Sequence, residues 1–331
     1  MELATNTVRA GSLRATRSGH VGLSTAFLSD GVRITRRQVQ IVLGLLWLLD
    51  GALQLQPFML GTGFARQVIA PLADGQPLVI AGPIRWAANV IAAHPLAWDL
   101  PFAAAQLLIG LGLIVPRTAR VALAASLPWA VGVWFFGEGL AGLATGHASL
   151  LTGAPGAVVL YGVLGLAAWP QRDRPDEAPA RWLPLAWAVL WVGGAVFQAL
   201  PGQNTGTAIA DALTGAGAPH WLNRLDASVA GVARHHGLAV VVALVVVEAL
   251  IGLAALRGKS RIVAATAGFV LAIAIWVVAQ NLGQLYSGNA TDPNSGPLIA
   301  LMAVVIIGSP GAGSAASKSR DAGHPDAVAP G

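Results

Sequence analysis

The sequence predicts an all-α integral membrane protein. It reads as two tandem four-helix bundles, eight transmembrane helices in all, related by a pseudo-twofold axis along the membrane normal. Three observations carry that expectation: composition, an internal repeat and the placement of basic residues. Of 331 residues, 55% are hydrophobic and 11% are charged, where a soluble domain carries about 25% charged residues. Residues 46–57 (LWLLDGALQLQP) return as 190–201 (LWVGGAVFQALP), 144 positions on, and residues 105–112 (AQLLIGLG) return as 247–254 (VEALIGLA), 142 on. Trp134 with Trp276, Leu140 with Leu282 and Pro155 with Pro297 keep the offset of 142. Two copies of one hydrophobic unit fix the architecture before any chemistry is considered.

The elements follow in order. Residues 1–37 hold six arginines and no long apolar run, and read as a disordered basic segment on the cytoplasmic side. The first apolar run begins near Val39 and passes into the repeat, so it reads as a retained helix and not a cleaved signal. The first repeat covers 38–170, with spans at about 38–58, 98–115, 120–138 and 154–169. A charged, proline-bearing linker follows at 171–181. The second repeat covers 182–308, with spans at about 182–200, 237–256, 262–284 and 296–308, the last short for a full crossing. Residues 309–331 form a low-complexity tail, again expected to be disordered and cytoplasmic. Each repeat has one long outer loop, 59–97 or 201–236. Helical spacing at 84–93 and 221–234 predicts a short amphipathic helix in each, lying on the outer surface as a cap.

Counting basic residues against these spans puts 16 on the N-terminal side and 4 (Arg66, Arg85, Arg224, Arg234) on the other. Positive charge stays inside, so both termini are expected in the cytoplasm of a bacterial inner (plasma) membrane. Four spans per copy insert both copies the same way up. The net charge of +5 and pI near 10.6 form no nucleic-acid motif. The absence of cysteine excludes disulfides and thiolate chemistry by this chain. Five histidines fall on the outer side (His94, His147, His220, His235, His236), in no spacing that specifies zinc or copper. No metal site is expected.

Polar groups inside the membrane are costly and need a reason. Asp50 lies thirteen residues beyond Arg37, and Glu248 thirteen before Arg261. At 1.5 Å per residue both sit roughly 20 Å up. Gln106, Trp134 and Trp276 share that level, with Gln54, Glu138, Gln198 and Gln280 just above it. Asp50 and Gln54 stand four apart, as do Trp134 and Glu138, and Trp276 and Gln280. Each pair therefore shares a helix face. These nine residues are the candidate ligand or proton site, a layer opening toward the outer side. The plainer reading is that they bond helices together, a common use of glutamine in membrane bundles. The copies differ here: Asp50 matches Gly194, Glu138 matches Gln280, and Glu248 matches Gln106. Either each half is specialised or one composite site uses both.

The run Val247-Glu248-Ala249-Leu250-Ile251-Gly252-Leu253-Ala254-Ala255-Leu256, followed by Arg257 and Arg261, resembles the second-helix signature of the DoxX-like superfamily. The first copy keeps the pattern from Gln106 to Gly112, then Arg117 and Arg120, with an amide in place of the acid. The resemblance implies a four-helix membrane bundle per copy. It also implies a redox setting: some members are linked to thiosulfate oxidation with quinone as acceptor, others to membrane redox maintenance or cofactor maturation. Glu248 is the position it carries over.

Three functions fit these observations. The first is a redox-associated accessory that binds a quinone or similar amphiphile in the polar layer, with Trp47, Trp134, Trp191 and Trp276 supplying ring contacts. No residue here carries electrons and no cofactor motif is identifiable, so a membrane redox partner would supply them. The second is a non-catalytic scaffold for a partner complex. The third is a proton-coupled small-solute transporter.

Overall fold

The computed structural model describes residues 33–171, 177–213 and 218–309. The expected disorder of the N-terminal segment and tail lies almost wholly outside them. So do Arg9, Arg14, Arg17, Arg172, Arg174, Lys318 and Arg320 from the charge count.

The described residues are helical and contain no strand. Eleven α-helices run in order among them: α1 (Arg36–Leu53), α2 (Leu78–Ala93), α3 (Pro95–Ile114), α4 (Ala119–Gly132), α5 (Ala157–Ala167), α6 (Leu183–Ala199), α7 (Gly206–Leu213), α8 (His220–His235), α9 (Gly237–Ala255), α10 (Arg261–Val278) and α11 (Ser295–Ile307). Four are long and apolar enough to cross a membrane: α3, α4 with its continuation to Gly137, α9 and α10. α1 is 18 residues long but carries Arg36, Arg37 and Asp50. α6 is a shorter apolar helix of 17 residues. α5 and α11 have 11 and 13 residues, about 16 and 20 Å of helix. The short last helix matches the short apolar run at 296–308; α5 is shorter than the run at 154–169 suggested.

Local chemistry explains the ends. Thr35 and Gln38 form a reciprocal capping box at the start of α1, with Gln38 N donating to Thr35 Oγ1 at 3.2 Å and Thr35 N to Gln38 Oε1 at 2.9 Å. Arg37 reaches across to donate to the carbonyls of Leu113 and Ile114, which the end of α3 leaves free. α2 and α8 each start after a proline, Pro77 or Pro219. Each ends at a histidine with non-helical dihedrals, His94 (φ −141°, ψ 65°) or His236 (φ −114°, ψ 28°). Helix starts repeat at one interval: Leu78 and His220, Pro95 and Gly237, and Ala119 and Arg261 each stand 142 apart.

Both long helices α4 and α10 end in a widened turn. Glu138 N donates to Val133 O and Gln280 N to Ile275 O, each an i→i−5 bond of 2.9 Å. Left-handed residues follow, Leu140 and Ala141 in one case, Asn281 and Leu282 in the other. Non-glycine residues hold this conformation only where surroundings enforce it. Gly142 (φ 74°) is the start of the GLATG segment, and it lies in a turn and not a helix contact.

α1 crosses α3, and α6 crosses α9. At the first crossing, a Cβ on Gly44 would stand 2.9 Å from Gly110 O, and one on Gly110 would stand 2.7 Å from Gly44 O. At the second, a Cβ on Gly252 would stand 3.1 Å from Ala188 O. α10 packs on α11, which also touches α5 and α6. One core cluster joins Leu113, Leu123, Leu164, Trp191, Leu298 and Ile299. A smaller cluster, with Met59, Phe64, Ile69, Ala81 and Ile84, lies between the segment after α1 and α2. The exterior keeps large apolar side chains such as Leu108 (69% exposed), Val121 (72%) and Val263 (70%). So broad an apolar exterior suits contact with lipid.

The helices expected at 84–93 and 221–234 are present as α2 and α8. α2 buries Ala81, Ile84, Ala88 and Ile91 at helical spacing, and α8 buries Leu222, Asp226, Ala230 and Ala233. α7, not foreseen, packs on α8. Asp226 takes the place that Ile84 holds in α2, is buried, and has no partner for either carboxylate oxygen.

Two outcomes test this packing. Gly110→Val should destabilise the protein by at least about 1–3 kcal/mol, because backbone and not a side chain must move; thermal unfolding in detergent reads this. Asp226→Leu should stabilise it by about 1–3 kcal/mol at neutral pH. Burial pushes the Asp226 carboxyl above its ordinary value, so the wild-type fold loses stability as pH rises from the ordinary carboxylate value through the raised one. The advantage of leucine should therefore grow with pH over that window; an advantage that shrinks would refute this account.

Candidate functional site

The first half of the chain encloses a cavity of about 440 Å³ beneath α2. α1 contributes Trp47, Asp50 and Gln54, and α3 contributes Trp98, Phe102 and Gln106. Trp129, Phe136 and Glu138 come from α4 and its widened end, and Tyr161 from α5. Phe64, from the segment after α1, and Trp86 of α2 also line it. Trp86 is 64% exposed and forms part of the rim. Thr291 and Asp292 also line the cavity, from the loop that precedes α11 in the other half.

Asp50 is only 4% exposed. Tyr161 Oη donates to its Oδ2 at 2.6 Å, and the Tyr161 ring lies against Trp47 at 4.5 Å between centroids. The other oxygen of Asp50, Oδ1, has no partner. Gln54 Nε2, Gln106 Oε1, Trp129 Nε1 and Glu138 Oε2 are likewise buried and unpartnered. Glu138 Oε1 accepts from Val158 N at 3.1 Å. The charges of Glu138 and Asp292 are close enough to act on Asp50. Burial pushes the Asp292 carboxyl up, against hydrogen bonds from Thr291 Oγ1 and Asn294 N, both 2.7 Å, that favour its ionised form.

Four of the nine residues singled out from sequence therefore meet here: Asp50, Gln54, Gln106 and Glu138. The other five do not line this cavity. Trp134 Nε1 donates to Pro155 O at 2.8 Å and Trp276 Nε1 to Pro293 O at 2.7 Å. Gln198 donates to Gln203 O at 2.6 Å and accepts from Ser149 Oγ at 3.2 Å. Gln280 bonds Leu150 O (3.1 Å), Ser295 Oγ (2.9 Å) and Gly296 N (3.0 Å). Glu248 is 1% exposed with Oε2 unpartnered, and faces Gly194, where a Cβ would lie 3.3 Å from that oxygen. These hydrogen bonds pair Pro155 with Pro293, and Val158 with Gly296, at an interval of 138. The alignment of Pro155 with Pro297 is thus displaced by four residues.

Gly194 stands where α1 has Asp50. A Cβ there would meet Leu150 Cδ1 at 2.5 Å, so Leu150 occupies that space. Each half thus sends the loop before its last helix into the other. The first half receives an acid, the second an aliphatic plug.

Two residues that line the cavity, Tyr161 and Asp292, and the neighbouring Asp99 escaped the sequence reading. Tyr161 sits in an otherwise aliphatic helix, and Asp292 in a Thr-Asp-Pro-Asn run that reads as a turn. Asp99 lies at the start of an apolar helix, where an acid passes for interfacial, yet it is fully buried, its carboxyl facing the Gln54 amide. Tyr161 had one signal: it is one of only two tyrosines in the chain. Among the described residues no group of three or more His, Asp or Glu is placed to hold a metal. His147 Nδ1 lies 3.0 Å from Gln203 Nε2.

No protein-family model matches this chain, and no curated protein or solved structure matches it. The site is therefore read from its own chemistry.

Tyr161→Phe keeps the ring contact with Trp47 and removes the bond to Asp50. It should cost about 1–3 kcal/mol of stability and shift tryptophan emission. A variant with unchanged melting would show that Asp50 does not depend on the phenol.

Proposed function

We propose that this chain is a membrane-embedded binding protein of the DoxX-like type, whose first half holds an amphiphile that enters from the outer side. In this reading it is a redox-associated accessory, and the occupant is a quinone or similar ring-bearing amphiphile. The observation that carries it is the cavity itself: walls of aromatic rings around polar groups that have no partner within the protein. A quinone ring fits that chemistry, since its faces pack on Trp47 and Trp129, and its carbonyl oxygens accept from Gln54 Nε2 and Trp129 Nε1. Electrons come from a membrane redox partner, because these side chains cannot carry them.

The same proposal includes two tandem four-helix bundles, eight spans, with both termini on the cytoplasmic side of the inner membrane. In their support stand the helix starts repeated at 142, the matched tryptophan-to-carbonyl bonds and the matched glycine crossings. α1, α5, α6 and α11 would then be the shorter spans beside the four longer ones, with local thinning of the bilayer.

A short-tailed benzoquinone, titrated into the purified protein, should quench tryptophan emission saturably. Gln54→Leu and Trp129→Phe should each weaken that binding by about tenfold, the loss of one hydrogen bond to a buried group. Quenching that never saturates, or that both variants leave unchanged, refutes the quinone reading.

A further inference from the structure

We propose that the amphiphile this cavity selects carries a protonated amine, held between its carboxylates and its aromatic walls. The inference rests on the reading of the cavity as an amphiphile site, and puts a cationic head group there in place of the quinone ring. Three carboxyl groups line the cavity, Asp50, Glu138 and Asp292, and among the described residues no lysine, arginine or histidine does. Acids gathered in a low-dielectric space without a countercharge are costly, and a cation among them offsets that cost.

The unpartnered atoms point the same way. Asp50 Oδ1, Glu138 Oε2 and Gln106 Oε1 are buried acceptors without a donor. Asp50 is not a surface acid turned inward by chance. It is 4% exposed, and the phenol of Tyr161 holds its other oxygen at 2.6 Å, which fixes the carboxyl plane. An ammonium with N–H donors satisfies such acceptors, whereas a neutral carbonyl compound leaves all three unmet. Ring faces complete the site: Trp47, Trp129 and Phe102 line the same space, and aromatic faces attract cations most strongly where water is excluded. The rim residues Trp86 and Trp98 leave an apolar way in for a tail.

Asp292 gives the inference its most specific consequence. It comes from the loop before α11, so the head-group site of the first half is completed by the second. In the second half Gly194 stands in place of Asp50, Leu150 takes the room a side chain there would need, and the cavity of about 500 Å³ beside them is lined by no carboxyl group among the described residues. One ammonium should bind per chain, although the helices repeat.

The test uses the full chain in nanodiscs of zwitterionic lipid, which removes attraction to a charged bilayer surface. Two probes of one shape are compared by calorimetry: 4-butylbenzylamine, and 4-butylbenzyl alcohol, which lacks the charge. The amine should bind at least about tenfold more tightly, the worth of one charge-assisted contact, with one site per chain. Asp50→Asn and Asp292→Asn should each remove most of that preference, with retained helical circular dichroism showing the variants folded. Equal binding of amine and alcohol to the wild type overturns the ammonium assignment and leaves an amphiphile site standing. Binding of neither probe overturns both. Two amine sites per chain, or a preference that survives both substitutions, overturns the place given to Asp50 and Asp292.

Discussion

The close approach of α1 to α3 is the constraint on which the site depends. With glycine at positions 44 and 110, each backbone carbonyl lies within 3 Å of where the other residue's Cβ would be. Gly51 repeats the contact further along α1, where a Cβ would meet Leu107 at 2.7 Å. Helices this close turn the same faces toward a common space on the far side. Asp50 and Gln54 from α1 therefore meet Gln106 from α3 around one cavity. Packing, and not attraction between polar groups, brings them together. Several of their polar atoms consequently remain without partners.

The loops before the last helices then make the two halves unlike. One carries Leu150 to Gly194 and presents its carbonyl to Gln280. The other carries Asp292 into the space beside Asp50 and Glu138. Small differences in side chains thus become a large difference in chemistry. The leucine leaves its cavity apolar, and the acid adds a carboxyl group to the other. Left-handed residues at Leu140 and Ala141, and at Asn281 and Leu282, set the turns that launch both loops. Such backbone is strained, and persists because the packed helices on either side determine it.

Much of the helical plan was legible in the sequence. Apolar runs, prolines and a repeat at one interval place the helices within a few residues, because bilayer-length apolar segments leave the backbone no alternative but helix. Asp50, Gln54, Gln106 and Glu138 were legible as candidates for a related reason: a polar group in an apolar run stands out. Tyr161 did not stand out, since a phenol among aliphatics looks like one more ring. Asp292 looked like part of a turn, which it also is. Gln198, Gln280 and Trp276 looked like site residues, and instead their hydrogen bonds go to neighbouring loops.

What the sequence determined by itself is helical content, the order of the apolar helices, and several of the polar side chains buried within them, because these follow from local hydrophobicity and turn chemistry. Which of those side chains share a space was decided only by tertiary structure. That depends on how closely two glycine-bearing helices cross and on where a loop from more than a hundred residues away comes to rest. No local pattern encodes either distance.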